Sequence, residues 1–79
     1  MRSKQTYLLI ERLDIVRSCI ESGMYPSSSD LRQTIFEKLG TAVSMSTIYR
    51  DIEFLRNRDG MNVNFDASKK GYFVTKKSL

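Results

Sequence analysis

The sequence predicts a mostly α fold with a small β-hairpin, three helices followed by two short strands, and three observations lead there. Apolar residues recur at helical spacing three times before Asp59, the period changes to two after it, and glycines at 23, 40 and 60 mark the boundaries. The 79 residues leave room for one core only, because a chain of about 60 residues buries only about 60% of its unfolded surface.

The first periodic segment runs from about Thr6 to Ser22 and closes at Gly23, with Leu9, Leu13, Val16 and Ile20 on one row. Leu8, Ile15 and Cys19 form a second row beside it at about 100° per residue. This helix is therefore expected to touch more than one neighbour: both later helices, or else a dimer partner or a following domain. Met24, Tyr25 and Pro26 break the pattern, and Ser27 stands three residues before Asp30 as in a capping box. A second helix is expected from near Ser28, with Leu31, Ile35, Phe36 and Leu39 on one face and Gly40 at its end. After a short turn, Ser44 is the expected N-cap of a third helix running through about Arg58, with Ile48, Ile52 and Leu55 inward and Ser46, Arg50, Glu53 and Asn57 opposite.

Beyond Asp59-Gly60 the pattern alternates. Val63 and Phe65 are expected on one face of a strand, Tyr72 and Val74 on one face of the next, and Ala67 to Gly71 form the turn of a hairpin with Lys69 and Lys70 near its tip. Residues 1–75 thus read as one domain and 76–79 as a tail or a linker cut short. Three helices and a hairpin, with a short turn between the second and third helices, is the layout of a three-helix winged helix-turn-helix.

Composition narrows the function. With 41% apolar and 28% charged residues the chain reads as a soluble folded domain, and its apolar runs fall far short of the roughly 20 residues that span a bilayer. No membrane partner and no signal peptide are expected, and the cytoplasm is the expected location. The chain has no histidine and one cysteine, Cys19, which removes the usual triad base, a His/Cys metal set and an internal disulfide. No catalytic residue, metal or cofactor is expected, and an enzyme is set aside. The formal net charge is +4; residues 1–43 hold six basic against five acidic residues, and residues 44–79 seven against four.

The placement of those charges suits double-stranded DNA. A helix about 10 to 12 Å across fits a major groove about 12 Å wide when its outward face is small and polar. The third helix offers Met45, Ser46, Thr47, Tyr49, Arg50 and Asn57 there, a set able to reach base edges and phosphates. Arg50 is the strongest candidate. Its bland reading is a pair with Glu53 or with Asp51, and that of Tyr49 is a ring packed over the second helix. Glu53 itself repels phosphate, so it is expected to orient Arg50, to accept from a cytosine amino group or to lie outside the contact. Lys69 and Lys70 can reach flanking phosphates or the minor groove from the hairpin tip, with Arg56, Arg58, Lys76 and Lys77 as further cations.

The stretch Ser46-Thr47-Ile48-Tyr49-Arg50-Asp51-Ile52-Glu53-Phe54-Leu55-Arg56, with Val63-Asn64-Phe65-Asp66 and Lys69-Lys70-Gly71-Tyr72-Phe73, resembles one family. It is similar to the N-terminal winged helix-turn-helix domain of bacterial transcription regulators that carry a downstream WYL ligand-sensing domain, and to the deoxyribose-operon repressor type. The resemblance implies transcription control, with the third helix in the major groove and the hairpin as the wing. Thr41 and Ala42 make the turn before the third helix two residues longer than the family pattern. Because such regulators continue into a sensor domain, the chain is expected to be a fragment of a homodimer. The rival reading is a winged helix used for protein contacts alone, since fold does not fix function. A large apolar patch on the outward face of the third helix would favour that rival; the polar face expected there favours DNA.

Overall fold

A computed structural model of the chain describes residues 4–75, and the expected tail at 76–79, with Lys76 and Lys77, lies outside them. Three α-helices, α1 (Lys4–Glu21), α2 (Ser28–Leu39) and α3 (Met45–Asn57), precede two strands, β1 (Val63–Asp66) and β2 (Gly71–Val74). This is the expected three-helix fold with a small hairpin, in winged helix-turn-helix order.

Local chemistry accounts for the boundaries. Ser27 Oγ accepts from the Asp30 backbone N–H at 3.1 Å while the Asp30 carboxylate accepts from the Ser27 N–H at 3.0 Å, so the capping box is complete. At the other end Gly40 takes a left-handed φ of 69° and donates its N–H to the Phe36 carbonyl, the arrangement that glycine adopts without a Cβ penalty. Ser44 caps α3 by accepting from the Thr47 N–H at 3.2 Å. Replacing Ser27 by alanine leaves the Asp30 N–H without its acceptor at the start of α2, and a loss of about 1 kcal/mol is expected. Urea unfolding with an unchanged slope and a lower midpoint is the check; an unmoved midpoint would show that water caps this helix equally well.

The three helices bury one core of Leu13, Val16, Ile20, Leu31, Ile35, Ile48, Ile52 and Leu55, closed at the hairpin by Val63. Ile15 and Cys19 of the second α1 row are half-buried against it, while Leu8 and Leu9 stay partly open. Leu9 therefore departs from the expected inward row, because the core ends one turn later, at Leu13.

One aromatic residue departs from expectation more clearly, and a second lies on its expected face but beyond the core. Phe36 is 51% exposed: the seam of α2 follows Leu31 and Ile35, and Phe36 lies about 100° past Ile35, beside Ala42 of the following turn. Phe65 is 52% exposed although it shares a hairpin face with Val63. The register pairs Val63 with Val74 and Phe65 with Tyr72. Two residues advance the strand by about 6 to 7 Å. That step carries Phe65 past the edge of the core, where the Tyr72 ring is its partner in a T-shaped contact with centroids 5.0 Å apart.

The hairpin is fastened to the helices by backbone as well as side chains. Met61 N–H donates to Leu55 O at 3.0 Å, and Tyr72 N–H donates to Pro26 O at 2.8 Å, which lays the α1–α2 loop along β2.

Candidate nucleic-acid interface

α3 is 13 residues long, about 20 Å at 1.5 Å per residue, and two groups of residues fix which side faces out. Ile48, Ile52 and Leu55 are buried at spacings of four and three, so the opposite face carries Ser46, Arg50, Glu53 and Asn57, all exposed. Tyr49 flanks this face at 51% exposure, so its ring is not packed away over α2. Met45 and Thr47 are half-buried at the first turn, and the Thr47 hydroxyl shares a 3.2 Å hydrogen bond with that of Ser44. Of the expected contact set on this helix, Ser46, Tyr49, Arg50 and Asn57 share one accessible surface, with Met45 and Thr47 at its margin.

Ion pairing separates the cations. The expected alternatives for Arg50, a pair with Glu53 or with Asp51, do not form. Glu53 accepts from Arg56 Nη1 at 2.5 Å, and Arg56 Nε also donates to the Val63 carbonyl at 3.1 Å, so this arginine ties α3 to β1. The Arg58 guanidinium lies 5.5 Å from the centre of the Phe54 ring, a cation–π geometry. Arg17 bridges Asp14 and Asp59. Among the described residues Arg50 faces no carboxylate within ion-pair distance.

The wing tip is built by Asp66. Its Oδ1 accepts from the Ser68 hydroxyl at 2.7 Å, the Ser68 N–H at 2.9 Å and the Lys69 N–H at 3.0 Å, and these bonds hold the carboxylate below its ordinary pKa, the Ser68 hydroxyl contributing most. A lowered carboxylate means that this turn is fully braced above the ordinary carboxylate range and loosens as pH falls through the lower folded value. Lys69 and Lys70 are both exposed, but they are not equivalent. The Lys69 ammonium lies 4.8 Å from the centre of the Tyr25 ring, whereas Lys70 takes a left-handed φ of 56° and, among the described residues, no such ring contact forms with it.

Two features that support this surface lie outside the expected set. Arg12 on α1 holds Asp51 on α3 through both carboxylate oxygens. The spacing contained the signal, since Asp51 stands three residues after Ile48 and four before Leu55, on the inward side. Tyr25 is the second: it has φ 56°, its ring packs at a 41° tilt against Phe73 with centroids 5.5 Å apart, and its carbonyl lies where a Cβ on Gly71 would stand.

No helix among the described residues is long and apolar enough to cross a membrane, and no group of three or more His, Cys, Asp or Glu among them is placed to hold a metal. Comparisons with protein-family models, with curated proteins and with solved structures find no match to the chain.

Proposed function

We propose that the domain binds double-stranded DNA as the DNA-binding module of a transcription regulator, α3 lying in the major groove and the hairpin acting as the wing. The observation that carries this reading is the outward face of α3: polar, accessible and headed by an arginine that, among the described residues, has no carboxylate within ion-pair distance, while Arg12 and Arg56 each have one and Arg17 has two. A free guanidinium can fork onto the O6 and N7 of guanine, which is the commonest base-specific contact of a helix in the groove. Ser46, Tyr49 and Asn57 supply hydrogen-bonding groups on the same surface, and Lys70 supplies a phosphate contact from the wing. A protein-docking role for this face is less well supported, because its large apolar groups, Tyr49 and Phe54, lie only at the flanks. In the same reading the working protein is a cytoplasmic homodimer, since one small module reads too few base pairs for useful specificity.

Fluorescence anisotropy with labelled duplexes across a salt series tests the proposal. Affinity is expected to fall linearly on a log–log plot, by about 0.9 of a unit for each phosphate neutralised. Arg50→Ala is expected to cost about 1 to 3 kcal/mol on a duplex selected from a randomised pool and to relax preference at one base pair. Lys70→Ala is expected to weaken all duplexes alike and to reduce the salt slope by about 1. Absence of binding to any duplex at low salt would reject the proposal, and equal losses for Arg50→Ala on selected and random DNA would reassign that side chain to phosphate.

A further inference from the structure

Asp51 is the buried charged residue of the described chain, 3% exposed, and it directly follows Arg50 on α3. Its Oδ2 accepts from Arg12 Nε at 2.6 Å and its Oδ1 from Arg12 Nη2 at 2.9 Å, a two-point fork across 39 positions of sequence. The other buried side chains of the two helices are apolar: Leu13, Val16 and Ile20 on α1, Ile48, Ile52 and Leu55 on α3.

These two kinds of contact constrain α3 differently. Apolar packing is non-directional, and helix pairs built on it scatter by about 15 to 20° around their preferred angles. A planar guanidinium meeting a planar carboxylate at two points fixes orientation as well as distance. Roll of a helix about its own axis is left equally undirected by apolar packing, and a roll of about 20° would carry a side-chain tip about 6 Å from the helix axis through about 2 Å. Binding groups have to be held to within about 0.5 Å of their working positions, so packing alone does not aim Arg50 closely enough. Nor does stability explain the pair, since buried ion pairs are commonly replaced by apolar residues with no loss of it.

We infer that the Arg12–Asp51 fork fixes the rotation of α3 about its own axis, and that Arg12 is a positioning residue for base recognition by Arg50. This inference rests on the DNA-binding reading. The Arg12 side chain is 20% exposed and two of its donors are engaged by Asp51, so it acts through α3 rather than on DNA. The consequence falls on selectivity. Phosphate attraction follows net charge, and losing the whole pair removes one charge of each sign; base reading follows the angle at which Arg50 enters the groove.

The double variant Arg12→Met, Asp51→Leu tests this, with two probes: a duplex selected by the wild-type protein from a randomised pool, and a random-sequence duplex of equal length. The expected result is a melting temperature no lower than wild type, unchanged affinity and salt slope on the random duplex, and a loss of about tenfold or more in preference for the selected one. Residual dipolar couplings of the unliganded double variant are expected to report a changed or averaged orientation of α3 relative to α1. Arg12→Lys keeps the charge without the fork and is expected to lower the preference in the same direction, which covers the case of a double variant that does not fold. Preference unchanged in a folded variant, or couplings identical to wild type, would overturn the inference and leave the pair a purely structural contact. A wild-type protein that binds no duplex would instead reject the DNA-binding reading, and the couplings would still decide whether the pair sets the rotation of α3.

Discussion

Arg12→Met alone is expected to destabilise the domain by about 3 to 5 kcal/mol, the usual cost of breaking a buried ion pair by removing one partner. The methionine fills much of the space of the arginine stem, so the loss comes mainly from Asp51, whose carboxylate stays buried with no cation beside it. In the intact protein the hydrogen bond to Asp51 outweighs desolvation and raises the Arg12 pKa above its ordinary value. A raised arginine pKa contributes stability throughout the range below its ordinary value, so the pair is not switched off by any ordinary alkaline buffer. Small domains have about 5 to 15 kcal/mol in total, and this one has a small core. Urea unfolding should therefore find Arg12→Met near or beyond its midpoint at low denaturant. A loss under about 1 kcal/mol would mean that Asp51 reaches water or a new donor once Arg12 is gone.

Gly71→Ala is expected to be nearly as damaging, for a steric reason. A Cβ at this position would stand 1.8 Å from the Tyr25 carbonyl oxygen and 2.3 Å from its carbonyl carbon, both backbone atoms. Relief requires β2 and the α1–α2 loop to separate, which breaks the Tyr72 N–H to Pro26 O bond and draws Phe73 off the Tyr25 ring. Overpacking costs about 1 to 3 kcal/mol, and the lost hydrogen bond about 1 more. Since 1 kcal/mol moves the midpoint of a domain this size by about 4 to 8 °C, a fall of more than about 10 °C is expected by differential scanning calorimetry. An unchanged melting temperature would show that the loop slides aside freely and that the wing is not fastened through Tyr25.

These two sites also mark where sequence reading stops. The caps at Ser27, Gly40 and Ser44 were legible because each depends on residues within four positions, and the α3 face was legible because Ile48, Ile52 and Leu55 leave one side over. Phe36 falls outside the buried seam of α2, and Phe65 is exposed on the face expected for it, because periodicity assigns a residue to a side of an element but does not say how far the neighbouring surface extends. Asp51 sat at an inward spacing in plain view, yet a carboxylate is buried only when paired, and its partner is 39 positions away on another helix. The close approach of Gly71 to Tyr25 likewise exists only once the chain has folded back on itself.

The most direct test of the recognition surface is a ¹⁵N–¹H titration of the wild-type domain with a short duplex at low salt, following every backbone amide. Shift changes are expected to gather at Ser46, Tyr49, Arg50 and Asn57 on α3 and at Lys69 and Lys70 on the wing, while the exposed α1 residues Ser18 and Glu21 stay put. Amides of α3 and the wing that remain unmoved with every duplex tried, or changes confined to α1, would contradict DNA recognition through α3.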